Sequence, residues 1–408
     1  MVLRIMKRPF SISDAFFSFI RENINADPTK LLLKKHPELD FDLKLAVLQI
    51  ECRKKIYKKL PDIFNLEHFL FPSSLSAEQC TCQAVAQFHS TLFKGMNSVL
   101  DLTSGVGIDD FYIAENVKEL IAVEKNQDTA SAHKYNMSVN NKNNVTTIND
   151  DCYNYIDTVI NADLKFDAIY IDPARRDKLD KRVFGFESCE PNVLSMLDKI
   201  SAVTECLYIK ASPMIDITQA VKDIDNISDI WIIGVKNECK ELLFKVNFSQ
   251  KCNNKKIHTI NFENDSCTQS LSFNWPVTEH HITYADSITD YIYEPNCCIM
   301  KAGAFNELQQ EYRVLLKLGR NTHLFTCNEP IKDFPGRRFK VIEVIPFCNK
   351  NIKSIHAKYP KINVGVRNFK LEAQELKKRL KVNDGGNLFL FGVTLGDKEM
   401  IMVIAEKL

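Results

Sequence analysis

Four carboxylates close successive apolar segments in the middle of this sequence: Asp101 after "SVL", Glu124 after "LIAV", Asp151 just past "VTTIN", and Asp172 after "AIYI". Their separations are 23, 27 and 21 residues, each the length of one strand-plus-helix unit. A single acid at a strand end is ordinarily a turn or helix cap. Four in step would meet at one edge of a parallel sheet, beyond the carboxyl ends of its strands, where open α/β sheets take up ligands. Between the first acid and the next amphipathic run lies "LTSGVGID". Gly105 and Gly107 let the chain turn tightly there and bring bare backbone N–H groups close to a bound molecule.

The chemistry of these positions narrows the ligand. A carboxylate at Glu124, ending the second strand, suits bidentate hydrogen bonds from ribose hydroxyls. Asp151 suits an exocyclic adenine amine, so the set fits an adenosine cofactor. A dinucleotide fingerprint would put a third glycine where this chain has Asp110. Asp101 and Asp109 add negative charge around the turn, which repels a pyrophosphate and attracts a cation. S-adenosylmethionine, with a positive ammonium and a positive sulfonium, is therefore the expected cofactor, ahead of a dinucleotide.

"AIYIDPARRD" (168–177) is the second chemical stretch. Pro173 fixes the direction of the chain just past Asp172. Asp-Pro-small-polar after a fourth strand is similar to the [DN]-P-P-[FYW] element that holds a target amine or base edge beside a methyl donor. Ala174 replaces the second proline, and Arg175 stands where an aromatic would stack; arginine can stack on a base or clamp a phosphate. Arg175 and Arg176 with Asp177 also fit a surface ion-pair cluster. Lys210, ending "LYIK", lies at the next strand end, and Glu238 and Glu241 of "NECKELLF" follow the sixth. An Asp–Lys–Glu set resembles a lysine-assisted attack by a ribose hydroxyl; the alternative is attack by a nitrogen whose proton passes to Asp172 or water. Asp172 and Lys210 are the catalytic candidates. Cys152 and Cys189 are weaker candidates for a covalent nucleophile.

These residues need a scaffold, and the alternation from 98 to about 248 supplies one. Short apolar runs ("SVLDL", "LIAVEK", "FDAIYID", "CLYIKAS", "IWIIGVK") are separated by helix-like segments, the texture of a parallel sheet covered on both faces. Residues 1–70 read as helical from apolar spacing at threes and fours, with Pro61 stopping the second run. Over 71–93 a loop and one capped helix are expected, with Ser76 as N-cap and Gln79 at the third position. Residues 266–320 read as a small α+β unit with a helix in "FNELQQEYRVLLKLG", and 321–408 as a compact α+β module with a turn at Asp384-Gly385-Gly386 and a closing hairpin.

Composition sets outer limits. At 408 residues, with 45% hydrophobic and 26% charged residues, the chain suits two or three soluble domains. Net charge is +1, yet residues 331–408 hold 16 Lys and Arg against 8 Asp and Glu, which permits a polyanionic partner. The 13 cysteines are scattered without zinc spacing, so reduced thiols and no metal are expected. The N-terminus has no signal-peptide pattern and no run reaches a membrane span; a cytoplasmic protein is expected.

With both motifs in hand, the chain resembles class I S-adenosylmethionine-dependent methyltransferases that carry a C-terminal THUMP-like domain. The resemblance rests on "LSAEQCTCQAVAQF", "VLDLTSGVGID", "AVEKN", "YIDPARRD", "NECKELL", "THLFTCNEPIKDFPGRRFKV" and "VGVRNFKLEAQELKKRL", from about residue 75 to the end. It implies an α/β fold with four parts: an N-terminal helical region (1–70), a Rossmann-like seven-stranded methyltransferase domain (71–265), a ferredoxin-like segment (266–320) and a THUMP-like domain (321–408). Cofactor contacts carry over to Asp101, Thr103, Gly105, Gly107, Glu124 and Asp151, with Asp109 and Cys152 beside them; Thr103 replaces the usual first glycine. Structured RNA (tRNA or rRNA) is the implied partner, met by Pro173, Arg175 and Arg176 near the chemistry and by Arg337, Arg338, Lys340, Arg367 and Lys370 in the THUMP-like part. A small-molecule or protein methyltransferase, and a non-catalytic RNA-binding module that keeps cofactor affinity, are the alternatives.

Overall fold

The computed structural model describes residues 12–34, 39–175, 185–264, 267–276, 281–396 and 398–408. Arg176, one of the expected substrate contacts, lies outside them. The chain forms two compact units: residues 1–228 with 243–253, and 229–242 with 254–408.

The first unit begins with four helices, as the apolar spacing predicts: α1 (Asp14–Glu22), α2 (Pro28–Leu33), α3 (Leu43–Ile56) and α4 (Pro61–Asn65). Asp27 caps α2 by accepting from the Thr29 and Lys30 N–H groups, and Pro28 sits at the first position, where no intrahelical donor is needed. Phe16, Phe17 and Ile20 of α1 pack with Leu45, Ala46, Val47 and Ile50 of α3. Arg53 of α3 is buried, and the two terminal nitrogens of its guanidinium donate to the carbonyls of Phe64, Leu66 and Glu67, so backbone acceptors offset the burial of a cation.

The 71–93 stretch departs from expectation. It holds two helices, α5 (Ser74–Gln79) and α6 (Gln83–Leu92), parted at Cys80–Cys82. Ser73 rather than Ser76 is the N-cap, and Ser76 is its reciprocal partner in the capping box. Serine at 76 can cap or reciprocate; the extended backbone of Ser73 decides which.

The sheet follows. Parallel strands β1 (Ser98–Asp101), β2 (Glu119–Val123), β3 (Val145–Ile148), β4 (Ala168–Ile171) and β5 (Cys206–Ala211) lie in the order β3-β2-β1-β4-β5. Helices α7 (Ile108–Ile113), α8 (Gln127–Val139), α9 (Cys152–Asn161), α10 (Leu197–Ser201) and α11 (Ile217–Asp223) fall between and after these strands. Val99, Leu100, Ile169 and Ile171 are fully buried, consistent with strands covered on both faces. A hairpin of β6 (Ile227–Val235) and β7 (Glu238–Asn247) continues the sheet with β7 next to β5. Its two-residue turn, Lys236-Asn237, has positive φ at both positions, as a hairpin turn matching strand twist requires. The seven expected strands thus lie in the order β3-β2-β1-β4-β5-β7-β6, and two further strands bring the sheet to nine. The division between the two units runs through this hairpin.

In the second unit β6 pairs in parallel with β8 (Lys255–Asn264), which pairs antiparallel with β9 (Cys267–Trp275). The rest is a seven-stranded sheet in the order 316–317, β11 (Phe325–Cys327), β10 (Tyr291–Pro295), β12 (Gly336–Pro346), β15 (Glu399–Lys407), β14 (Leu388–Leu395), β13 (Asn363–Arg367). β12 pairs with β10 on one side and β15 on the other, so a single sheet runs through both expected modules. The helices are α12 (Cys297–Ala302), α13 (Phe305–Glu311), α14 (Asn349–Lys358) and α15 (Ala373–Leu380), α13 being half the length that "FNELQQEYRVLLKLG" suggests. No helix among the described residues is long and apolar enough to cross a membrane.

Candidate active site

The glycine-rich turn is built by a set of short backbone bonds. Leu102 N donates to Tyr170 O and Ser104 N to Val123 O, both at 3.0 Å, so the turn straddles β4 and β2. Gly105 and Gly107 have φ of +57° and +83°, the left-handed region that glycine enters without steric cost. A Cβ at Gly105 would meet only Thr103 O at 4.0 Å, so that backbone faces open space; one at Gly107 would lie 2.4 Å from His133 Cδ2.

Glu124 and the turn hold each other. Its Oε2 accepts from Gly105 N at 3.0 Å and its Oε1 from Asn126 N at 2.6 Å. Both oxygens are thereby aimed at the loop edge. Thr103, the residue in place of the usual first glycine, has a defined task. Its N–H donates to Asp101 Oδ1 at 2.7 Å, and its hydroxyl accepts from Asp172 N at 2.6 Å. Thr103 thus ties the end of β1 to the Asp-Pro loop after β4.

Asp101 and its neighbours form a buried acidic floor. Asp101 and Asp110 are 2% and 0% exposed. Burial, then the Asp110 charge, holds the Asp101 carboxyl well above the ordinary range, and burial pushes Asp110 up to about 8. Asp110 Oδ2 lies 2.9 Å from His133 Nε2, whose Nδ1 reaches Thr147 Oγ1 at 2.7 Å. Burial pushes the His133 imidazole down to about 4.

Asp109, next along α7, differs. Its Oδ2 accepts from Thr81 Oγ1 at 2.6 Å, and its Oδ1 is 3.0 Å from His89 Nδ1. Burial opposes its ionisation, yet the Lys210 charge and the His89 and Thr81 hydrogen bonds outweigh it, holding the carboxyl below the usual range. Lys210 Nζ lies 2.7 Å from Asp172 Oδ2, 2.8 Å from Thr81 Oγ1 and 3.5 Å from Asp109 Oδ2. Neither Thr81, in the break between α5 and α6, nor His89, in α6, is marked by spacing: their separations from Asp109, 28 and 20 residues, match no site motif.

Of the other expected residues, Asp151 caps α9 through Tyr153 N at 3.0 Å and pairs with Lys125 Nζ at 2.7 Å. Cys152 opens α9, buried, with its thiol pushed up to about 12 mainly by burial. Pro173 is buried, and the backbone of Arg175 pairs with Cys189. Glu238 sits in β7 and pairs with Lys240 at 2.7 Å, and Glu241 is buried in the same strand. In the second unit the expected RNA contacts divide. Arg337 and Arg367 both clamp the buried Glu294, and Arg338 donates to Lys332 O at 2.6 Å. Internal partners thus engage all three guanidinium groups, although each stays partly open to solvent. Lys340 and Lys370 are exposed.

A cationic nucleoside fits the first unit's site. Ser104 Oγ is buried in the turn with no protein partner, the backbone at Gly105 is open, and carboxylates supply acceptors. The residues able to hold it are Asp101, Ser104, Gly105, Glu124 and Asp151.

Comparisons with known proteins bear on the fold. Residues 291–335 match a ferredoxin-like domain family and 336–407 a THUMP domain-like family. A crystal structure from Porphyromonas gingivalis W83, provisionally described as a methyltransferase, covers 96% of this chain and 97% of its own at 29% identity and a TM-score of 0.86. An uncharacterized RNA methyltransferase of Mycoplasma mobile is 35% identical over 79 residues, 19% of this chain. That match spans 21% of the relative's length. The architecture is the expected one, a Rossmann-like domain followed by ferredoxin-like and THUMP-like segments.

Proposed function

We propose that this chain, a methyltransferase by fold with a C-terminal THUMP-like domain, uses S-adenosylmethionine to methylate a base of structured RNA, tRNA or rRNA. One observation carries the reading: Thr103 links Asp101 to the Asp172 backbone, so the glycine turn and the Asp-Pro loop share one edge.

When bound, S-adenosylmethionine supplies an electrophilic methyl group on a sulfonium. Glu124, pre-aimed by two backbone N–H groups, would accept from ribose hydroxyls, and Asp151 from the adenine amine. Asp101, kept from ionising by burial, would offer the amino-acid end a neutral oxygen acceptor rather than a charge. Asp172, half-exposed and paired with Lys210, would accept a hydrogen bond from the target nitrogen and align its lone pair; such alignment supplies much of the acceleration in a displacement. With Lys210 spent on two carboxylates and a threonine, a lysine-assisted attack by a hydroxyl has less support than attack by a nitrogen.

The RNA part draws support from the THUMP-like match, from the curated relative's description and from exposed lysines (Lys340, Lys350, Lys353, Lys370 and Lys378) in the basic C-terminal region. Incubation with methyl-labelled S-adenosylmethionine and total RNA from a strain lacking the gene tests it. Label should enter RNA, and affinity for structured RNA should fall steeply as salt rises. Label in protein or small molecules alone, or a flat salt response, would sink the RNA reading.

A further inference from the structure

Thr81 and His89 belong to the link and helix before β1, a segment that the cofactor chemistry leaves unexplained. Thr81 is 7% exposed and His89 fully buried. Both meet Asp109, and Thr81 also meets Lys210. At the far end, Asp172 is the one member open to solvent, its side chain 40% exposed against 12% for Lys210 and for Asp109.

We propose that Thr81, His89 and Asp109 are positioning residues that hold Lys210, and through it the Asp172 carboxylate, in the orientation that receives the target nitrogen. The proposal rests on the methyltransferase reading above. A half-exposed aspartate left alone would sample several rotamers. A lysine is a poor anchor by itself, because its four-carbon stem is flexible and its donors rotate. Three acceptors around one ammonium remove that freedom, and the burial of Thr81 and His89 makes the anchor rigid from behind. Sequence alone suggested Asp109 as a cofactor contact. Its Oδ1 lies on His89, and its Oδ2 on Thr81 and Lys210, so both oxygens are committed inside the protein.

The experiment compares Thr81→Val, Thr81→Ser and Asp109→Asn with wild type, measuring S-adenosylmethionine affinity by calorimetry and label transfer to the same total RNA. Thr81→Val and Asp109→Asn should bind the cofactor within about threefold of wild type yet show kcat reduced roughly 100-fold, the loss expected from a misplaced reacting group. Thr81→Ser, which keeps the hydroxyl, should recover most of the rate. Cofactor affinity falling in step with rate would make Asp109 a cofactor ligand and overturn the proposal, as would wild-type kcat in both variants. Should Asp109→Asn fail to fold, Thr81→Val carries the test. A crystal structure of Thr81→Val decides independently of any activity: Lys210 Nζ should leave hydrogen-bond reach of Asp172, and an unchanged pair overturns the relay. Wild type that binds cofactor but labels no RNA sinks the RNA reading, and the crystal structure still judges the relay.

Discussion

Asp101 and Asp110 are buried together beneath the glycine-rich turn, and burial, with the Asp110 charge acting on Asp101, holds both carboxyls above the ordinary carboxylate range. Two buried carboxyls can share such a site only while a proton stays between them, because both charges together would cost too much. Folding therefore retains a proton that the unfolded chain releases near pH 4. The sign follows: a raised folded pKa contributes stability that is complete below about pH 4 and is lost as pH rises through about 8. His133, pushed down to about 4, works oppositely, its contribution growing as pH climbs to about 6.5. The clean window is pH 7 to 8.5, where denaturant unfolding should show stability falling by up to about 1.4 kcal/mol per pH unit. Asp110→Asn should flatten that slope; a slope unchanged in the variant would place the proton elsewhere.

Gly107 and His133 set a steric limit on the same turn. Alanine at 107 must adopt φ +83° and put its Cβ 2.4 Å from His133 Cδ2 and 2.6 Å from Met137 Cε. Left-handed strain and overpacking together should cost about 2–4 kcal/mol. Gly105→Ala meets no such neighbour and should be milder in stability, while still weakening cofactor binding. Urea midpoints and calorimetric affinities for the two variants check this contrast.

Glu124 and Asp172 should separate binding from chemistry. Glu124→Ala removes two charge-assisted acceptors and should weaken S-adenosylmethionine binding about 10–100-fold. Asp172→Asn should leave that affinity within about threefold and cut label transfer by about two orders of magnitude. Equal losses of affinity in both variants would contradict the division of roles.

In the THUMP-like part, Glu294 is 5% exposed and ion-paired to Arg337 and Arg367, whose side chains are 34% and 36% exposed. Glu294→Gln leaves two guanidinium groups facing a neutral side chain. The cost should be about 2–3 kcal/mol, below that of a fully buried pair because the arginines reach water. Arg337→Ala should likewise lower denaturation midpoints while leaving the salt dependence of RNA binding nearly unchanged. Lys378→Ala should do the reverse, reducing the slope of log affinity against log salt by about 0.7–0.9 if it meets one phosphate.

The sequence alone determined the strands of the first unit and their alternation with helices, because apolar runs and glycines record which backbone is buried and where it must turn. It determined the helical N-terminus and the α+β C-terminus for the same reason. Only the tertiary structure decided what each polar group bonds to. Asp109 faces Thr81 and His89 rather than solvent, Thr103 bridges two strands, Arg337 and Arg367 close on Glu294, and β12 makes one sheet of two expected modules. Hydropathy periodicity fixes a residue's face, but a hydrogen bond needs two atoms within about 3 Å, and residues tens of positions apart reach that distance only after helices and strands have packed.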